Sequence, residues 1–164
     1  MATITTLDPA VRGAGARGRQ PYVVEAEINM ASAATAKGSA LAAADVIEAI
    51  NVPAGSVILN AGMEVTTVAS GGTGTILDLG VTGVDADVFV DGFALDSASA
   101  GDYSQNAAAF QPVVIGSAAD TIDVLVQAAT TVSTAGVVRV WAILMDIDGL
   151  GALGADEVAR DALA

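Results

Sequence analysis

Between Val57 and Thr66 the chain alternates with a period of two. Val57, Leu59, Ala61, Met63 and Val65 are apolar, while Asn60, Glu64 and Thr66 between them are polar. Successive side chains of a strand point to opposite faces, so this run fits a strand with one face buried and one face wet. A helix would instead repeat its apolar positions every three or four residues. The same texture returns along the chain as far as Ile147. Residues 22–30 set Val24, Ala26, Ile28 and Met30 on one face and Glu25, Glu27 and Asn29 on the other. Further strands are expected over residues 45–52, 75–81 (with Leu77, Leu79 and Val81 inward), 84–95, 113–115, 121–128 and 137–147. Asp91-Gly92, inside one of these, reads as a bulge or tight turn. In the last strand Val138, Val140, Ala142 and Leu144 form one face, and Val137, Arg139, Trp141, Ile143 and Met145 form the other. Both faces are largely apolar, so this strand is expected to lie centrally or to turn its second face to a partner. Trp141, Ile143 and Met145 are therefore the expected subunit-interface residues.

The segments between the strands are rich in turn formers. Pro53-Ala54-Gly55 turns the chain, Pro by fixing φ and Gly by tolerating a positive one. Ser70-Gly71-Gly72-Thr73-Gly74 reads as a hairpin turn. It has no Lys after it and opens no helix, so it lacks the parts of a phosphate-binding loop. Residues 31–44 are Ala-rich and fit a short helix or a loop. Residues 96–110 have no period and read as a long surface loop. Eight or so short strands with such turns imply an all-β fold: an antiparallel β-sandwich, jelly-roll-like, rather than an α/β fold. Three regions are expected: an extended basic N-terminal arm over 1–20, the β-sandwich over 21–147, and a flexible or short-helical tail over 148–164.

Composition removes most chemistry. The 164 residues include no His and no Cys, and Lys37 is the sole lysine. A hydrolytic nucleophile needs a positioned base, most often His. Paired carboxylates suffice for glycoside hydrolysis, but Trp141 is the only Trp and does not make an aromatic sugar platform. An enzyme is not expected, and neither is a cofactor. Asp85, Asp87 and Asp91 lie close together in V-D-A-D-V-F-V-D-G. Clustered carboxylates suit a hard cation such as calcium, yet the run lacks the further acidic position and the closing Glu of a calcium loop. A solvated acidic turn is the expected reading, with no metal.

Charge and hydropathy narrow the partners. The net charge of −13 opposes binding to nucleic acid, which needs cationic side chains. Mean hydropathy is +0.61, but no apolar run approaches the ~18 residues of a spanning helix, so no membrane partner is expected. An apolar fraction this high in a β protein points to surface buried between subunits. The few cations are unevenly placed. Arg12, Arg17 and Arg19 make the first twenty residues basic, whereas from Asp45 onward only Arg139 and Arg160 stand against sixteen acids. A basic arm on an acidic body suits docking onto an acidic neighbour. Without Cys no disulfide framework exists, and the start MATITTLDPAVRG has no apolar signal region, so synthesis in the cytosol is expected.

The segments ADVIEAINVPAGSVILNAGMEVTT, ILDLGV, DVFVDGFALD, GDYSQ, AADTIDVLV and VVRVWAILMDI, in that order, resemble small structural proteins of tailed bacteriophages. The opening MATITTL and the arm R-G-R-Q-P-Y are similar too. The family so resembled is that of capsid decoration, or cement, proteins. The resemblance implies a β-rich, non-enzymatic virion protein that sits on the capsid exterior, made in the host cytoplasm. It implies a homotrimer that bridges subunits of the major capsid protein, with Arg12, Arg17 and Arg19 as a capsid-docking arm. Other virion parts (a head fibre base, a tail or a vertex protein) share this texture. A carbohydrate-binding or adhesion module of β-sandwich type is a further alternative.

Overall fold

The computed structural model describes residues 20–105, 107–108 and 110–147. Arg12, Arg17 and Arg19 and the tail from residue 148 lie outside the described residues. In chain order the elements are β1 (Tyr22–Asn29), α1 (Met30–Lys37), β2 (Val46–Val52), β3 (Ser56–Ser70), β4 (Ile76–Val81), β5 (Asp85–Ala94), β6 (Tyr103–Gln105), β7 (Val113–Val114), β8 (Asp120–Ala128) and β9 (Ala135–Asp146). One 3-10 turn, Leu95–Ser97, follows β5.

The strands form two sheets. The first has the order β1-β9-β3-β6, with β7 also paired to β3; the second has the order β2-β8-β4-β5. Every pairing is antiparallel. The chain crosses between sheets at almost every connection, and only β4–β5 and β6–β7 stay within one. That wrapping is the double Greek key of a jelly roll. The all-β sandwich expected from the alternation is the observed fold.

Alternation explains which side chains meet in the middle. Val138, Val140, Ala142 and Leu144 of β9 are buried, as are Leu77, Leu79 and Val81 of β4 and Ile122, Val124 and Val126 of β8. Phe89 fills the space between the sheets and packs at a tilt on Phe110, with ring centroids 6.2 Å apart. The Ala-rich segment resolves into a helix. Asn29 caps its start by accepting from the N–H groups of Ala31 and Ser32, and Gly38, at φ 78°, ends it in the left-handed region. Fully buried Met30 ties that helix to the core.

Three expectations are corrected. The period-two set in β3 does not share one face along its whole length. Ile58 pairs with Leu144 but Asn60 pairs with Ile143, so one extra residue is inserted at Leu59. This bulge shifts the phase: Ile58 faces the core before it, and Ala61, Met63 and Val65 face the core after it. Next, Ser70–Gly74 is not a hairpin turn, because β3 and β4 belong to different sheets. It is a crossover, pinned by the bridge between Thr73 and Thr131. Finally, the segment 96–110 is not all loop, since it contains the 3-10 turn and edge strand β6. The bulge at Asp91-Gly92 is present: between the pairs Leu77–Phe93 and Leu79–Val90, the single residue Asp78 on β4 faces two on β5, Asp91 and Gly92.

Candidate functional site

The most distinctive surface is the outer face of the first sheet. The register lines its side chains up in rows across the strands. One row runs Val23, Ile143, Asn60; the next Glu25, Trp141, Gly62, Gln105; the next Glu27, Arg139, Glu64, Tyr103. Trp141, Ile143 and Met145 all lie on this face and are half-buried. The structure thus places these three expected interface residues together, on the central strand β9. Gly62 makes the middle row possible. A Cβ there would come within 2.7 Å of the Trp141 indole and 2.8 Å of the Ser104 carbonyl oxygen. The indole therefore occupies the space that a side chain at position 62 would fill. Arg139 stands between two carboxylates, 3.9 Å from Glu25 and 3.8 Å from Glu64.

The opposite outer face is acidic. Asp78, 2% exposed, accepts the Gly92 N–H at 2.8 Å and so supports the β5 bulge. Asp123, 4% exposed, accepts from the Thr82 N–H at 3.2 Å, and its Oδ1 has no hydrogen-bond partner among the described residues. Asp85 and Asp87 open β5, with Asp91 further along the same strand. Among the described residues no group of three or more carboxylates is arranged to hold a metal ion.

These acids perturb one another. The Asp87 carboxyl is raised above the ordinary aspartate value of 3.8, first by a hydrogen bond with Asp85, then by burial and by the charges of Asp85, Asp91 and Asp78. Burial raises Asp78 likewise, helped by the charge of Asp91 and opposed by the Gly92 N–H. Asp45 is lowered, chiefly by its hydrogen bond with Lys37. For Asp96 burial alone would raise the carboxyl, but hydrogen bonds from Ser133, Thr75 and Gly74 outweigh it, and the net shift is downward. A carboxyl raised in the folded state binds its proton before the unfolded chain does. Its stabilisation is full below the unfolded value and is lost as pH rises through the folded one. For the two lowered groups the stabilisation is present above the unfolded value and is lost as pH falls through the folded one. Tm is therefore expected to rise as pH is lowered toward the ordinary aspartate value of 3.8, as Asp87 and Asp78 take up their protons, and to fall below it, as Asp45 and Asp96 lose their charge. Asp87→Asn should shrink the rise. A monotonic fall from pH 7 would contradict the assignment.

Two polar clusters escape sequence reasoning. Asp96 accepts from the Thr75 N–H at 2.6 Å and from the Ser133 hydroxyl. The Ser133 N–H in turn donates to Thr75 Oγ1 at 3.0 Å. Thr75 and Ser133 are both buried, so this knot ties the β3–β4 crossover to the β8–β9 connection. Its carboxylate is committed to these donors, and no histidine stands in the chain to turn the hydroxyls into nucleophiles. The second cluster is Lys37, whose Nζ bonds Asp45 Oδ2 at 2.6 Å and the Ala40 carbonyl at 3.0 Å. That lysine fastens the end of α1 to the loop before β2.

No family model matches the chain, and no curated protein matches it in sequence. Solved structures do match. The chain is similar to a chain of the cyanophage Pam1 capsid asymmetric unit, at 17% identity and a TM-score of 0.60, covering 88% of this chain and 96% of that one. It is also similar to a chain of the capsid of Ralstonia phage GP4, at 17% identity and a TM-score of 0.57, covering 85% of this chain and 90% of that one. At these identities the likeness is one of fold: the same sandwich, over nearly the full length of both partners.

Proposed function

We propose that this chain is a non-enzymatic structural protein of a tailed-phage virion, and that it decorates and stabilises the outside of the capsid by bridging major capsid protein subunits. The observation that carries this reading is the near full-length likeness to chains of two phage capsids. The site chemistry supports it. The chain has no His or Cys, and its lysine is held in an ion pair. A decoration protein works by making many weak contacts at once, so that the second and third contacts form at high effective concentration. A homotrimer supplies such multiplicity. The arm bearing Arg12, Arg17 and Arg19 is the proposed docking element, because guanidinium groups pair bidentately with carboxylates of an acidic neighbour.

The test uses expanded capsids of the encoding phage, prepared without this chain. The full chain is expected to bind their outer surface and to raise the temperature at which the shells open. A chain lacking residues 1–20 should keep its own thermal unfolding but bind about tenfold more weakly, a loss of roughly 1.4 kcal/mol. No binding by the full chain would overturn the decoration reading. Equal binding by both would overturn the role of the arm alone.

A further inference from the structure

We infer that residues 12–19 of the N-terminal arm lie across the outer face of the first sheet of their own chain, with Arg12, Arg17 and Arg19 paired to Glu25, Glu27 and Glu64. The inference does not rest on the virion reading. This face is short of positive charge: it carries those three glutamates and, among the described residues, Arg139 as its only cation. Arg139 does not use the carboxylates up. It stands 3.9 Å from Glu25 and 3.8 Å from Glu64, long for charged hydrogen bonds, and the two glutamate side chains stay 65% and 35% exposed. Carboxylates around an aromatic ring suit a guanidinium, which pairs bidentately through its edge and stacks on the ring face. Trp141 shares the row of Glu25, its half-buried indole laid over Gly62, and Tyr103, 67% exposed, ends the row of Glu27 and Glu64.

Chain length and charge name the occupant. The arm joins the described chain at Gln20, two residues before β1, which is the edge strand of this sheet. The row of Glu27 and Glu64 lies about 16 Å along β1 from Tyr22 and extends about 10 Å over two strand spacings. The chain from Arg12 to Gln20 spans up to about 28 Å, so all three arginines reach the face. The acids of the second sheet are a poorer match. β5 is the edge of that sheet farthest from β2, which lies against β1. Asp85 and Asp87 already share a hydrogen bond, and Asp78 is buried beneath the β5 bulge. The arm also suits a flat surface. Between Arg12 and Arg17 it has only Gly and Ala, so its main chain can lie close on Trp141 and Ile143. Arg17 and Arg19, two apart, project to one side of an extended chain. The second apolar face of β9 is thereby covered by the chain's own arm. An acidic partner surface competes for the same arginines, so the contact holds the arm until such a partner is met.

With no Cys and a single Trp, the full chain allows a direct test. Gly15→Cys carries a thiol-linked, short-range quencher, and the emission of Trp141 reads how near the arm lies. Emission is expected to fall about twofold at low ionic strength, where exposed charges are little screened. Salt at 1 M, where the screening length is about 3 Å, should restore it. Arg12→Gln, Arg17→Gln and Arg19→Gln combined should restore it too, and these positions lie outside the sandwich. Glu25→Gln, Glu27→Gln and Glu64→Gln combined should do the same from the other side, with circular dichroism to confirm the fold. To separate a chain's own arm from that of another copy, labelled chains are unfolded and refolded in a large excess of unlabelled Trp141→Phe chains. Unchanged quenching is expected. Absence of quenching overturns the inference, as does quenching that survives high salt, the arginine substitutions or the glutamate substitutions. Quenching lost in the excess overturns it equally, because the arm on the face would then belong to another copy.

Discussion

Asp96→Ala is expected to destabilise the fold by about 3–5 kcal/mol, because it removes an acceptor from two donors that cannot reach water. The Thr75 N–H and the Ser133 hydroxyl both point at this carboxylate, and Thr75 and Ser133 are among the most buried polar residues of the chain. A hydrogen bond to a charged group is worth about 1.5–3 kcal/mol net, and a buried donor left unpaired costs about 1–3 kcal/mol. For a chain of this size such a loss lowers Tm by roughly 10 °C. Asp96→Asn keeps one acceptor oxygen but turns an amino group toward the other donor, so an intermediate loss is expected. Gly72→Ala probes the same knot from its other side, since a Cβ there would come within 2.6 Å of the Ser133 N and 2.7 Å of Asp96 Oδ1. Chemical denaturation measures all three. A loss below about 1 kcal/mol for Asp96→Ala would mean that relaxed loops resupply the partners, and the knot would lose its structural role.

That knot also marks where sequence reading stops. Strands are local, and their period is written in consecutive residues, so β1, β2, β4, β8 and β9 are legible from alternation alone. The two apolar faces of β9 likewise reveal that it is the strand with something on both sides, and it does run centrally between β1 and β3. Asp91-Gly92 is legible as a bulge because glycine supplies the positive φ, here 73°. By contrast β6 has three residues, Tyr103, Ser104 and Gln105, and no buried side to leave an alternating mark. The Ser70–Gly74 crossover has the composition of a hairpin turn; only the sheet to which β4 belongs distinguishes the two, and that is set by pairing with β8 more than forty residues later. Asp96 and Ser133 are 37 residues apart and meet only once both connections are folded. On the outer face of the first sheet, Trp141, Ile143 and Met145 are readable from β9 itself, whereas Gly62 gains meaning only from the register that sets it beside Trp141.

Gly80→Ala is expected to cost about 3 kcal/mol, at the upper end for a single added methyl, because what it strikes is main chain. Gly80 lies on β4 between the fully buried Leu79 and Val81, and its missing side chain leaves room for β5 to pass. A Cβ there would overlap the Asp85 carbonyl oxygen and the Ala86 carbonyl carbon and lie 2.6 Å from the Ala86 oxygen. No rotamer relieves a clash with backbone, so β5 must move away from β4 at the point where the pairing passes from Leu79–Val90 to Val81–Asp85. Asp85 and Asp87 move with it, so the rise in Tm as pH is lowered toward the ordinary aspartate value should shrink along with the stability. Gly116→Ala is the matched comparison. Nothing lies within 4 Å of a Cβ there and its φ is not in the left-handed region, so the same methyl should be neutral or stabilise by about 0.4–1 kcal/mol through the unfolded chain. Opposite signs for one identical chemical change would show that space over β4, rather than loss of glycine flexibility, governs position 80. Equal effects at both positions would refute the close approach of β5 to Gly80 and, with it, the placement of the acidic cluster against the second sheet.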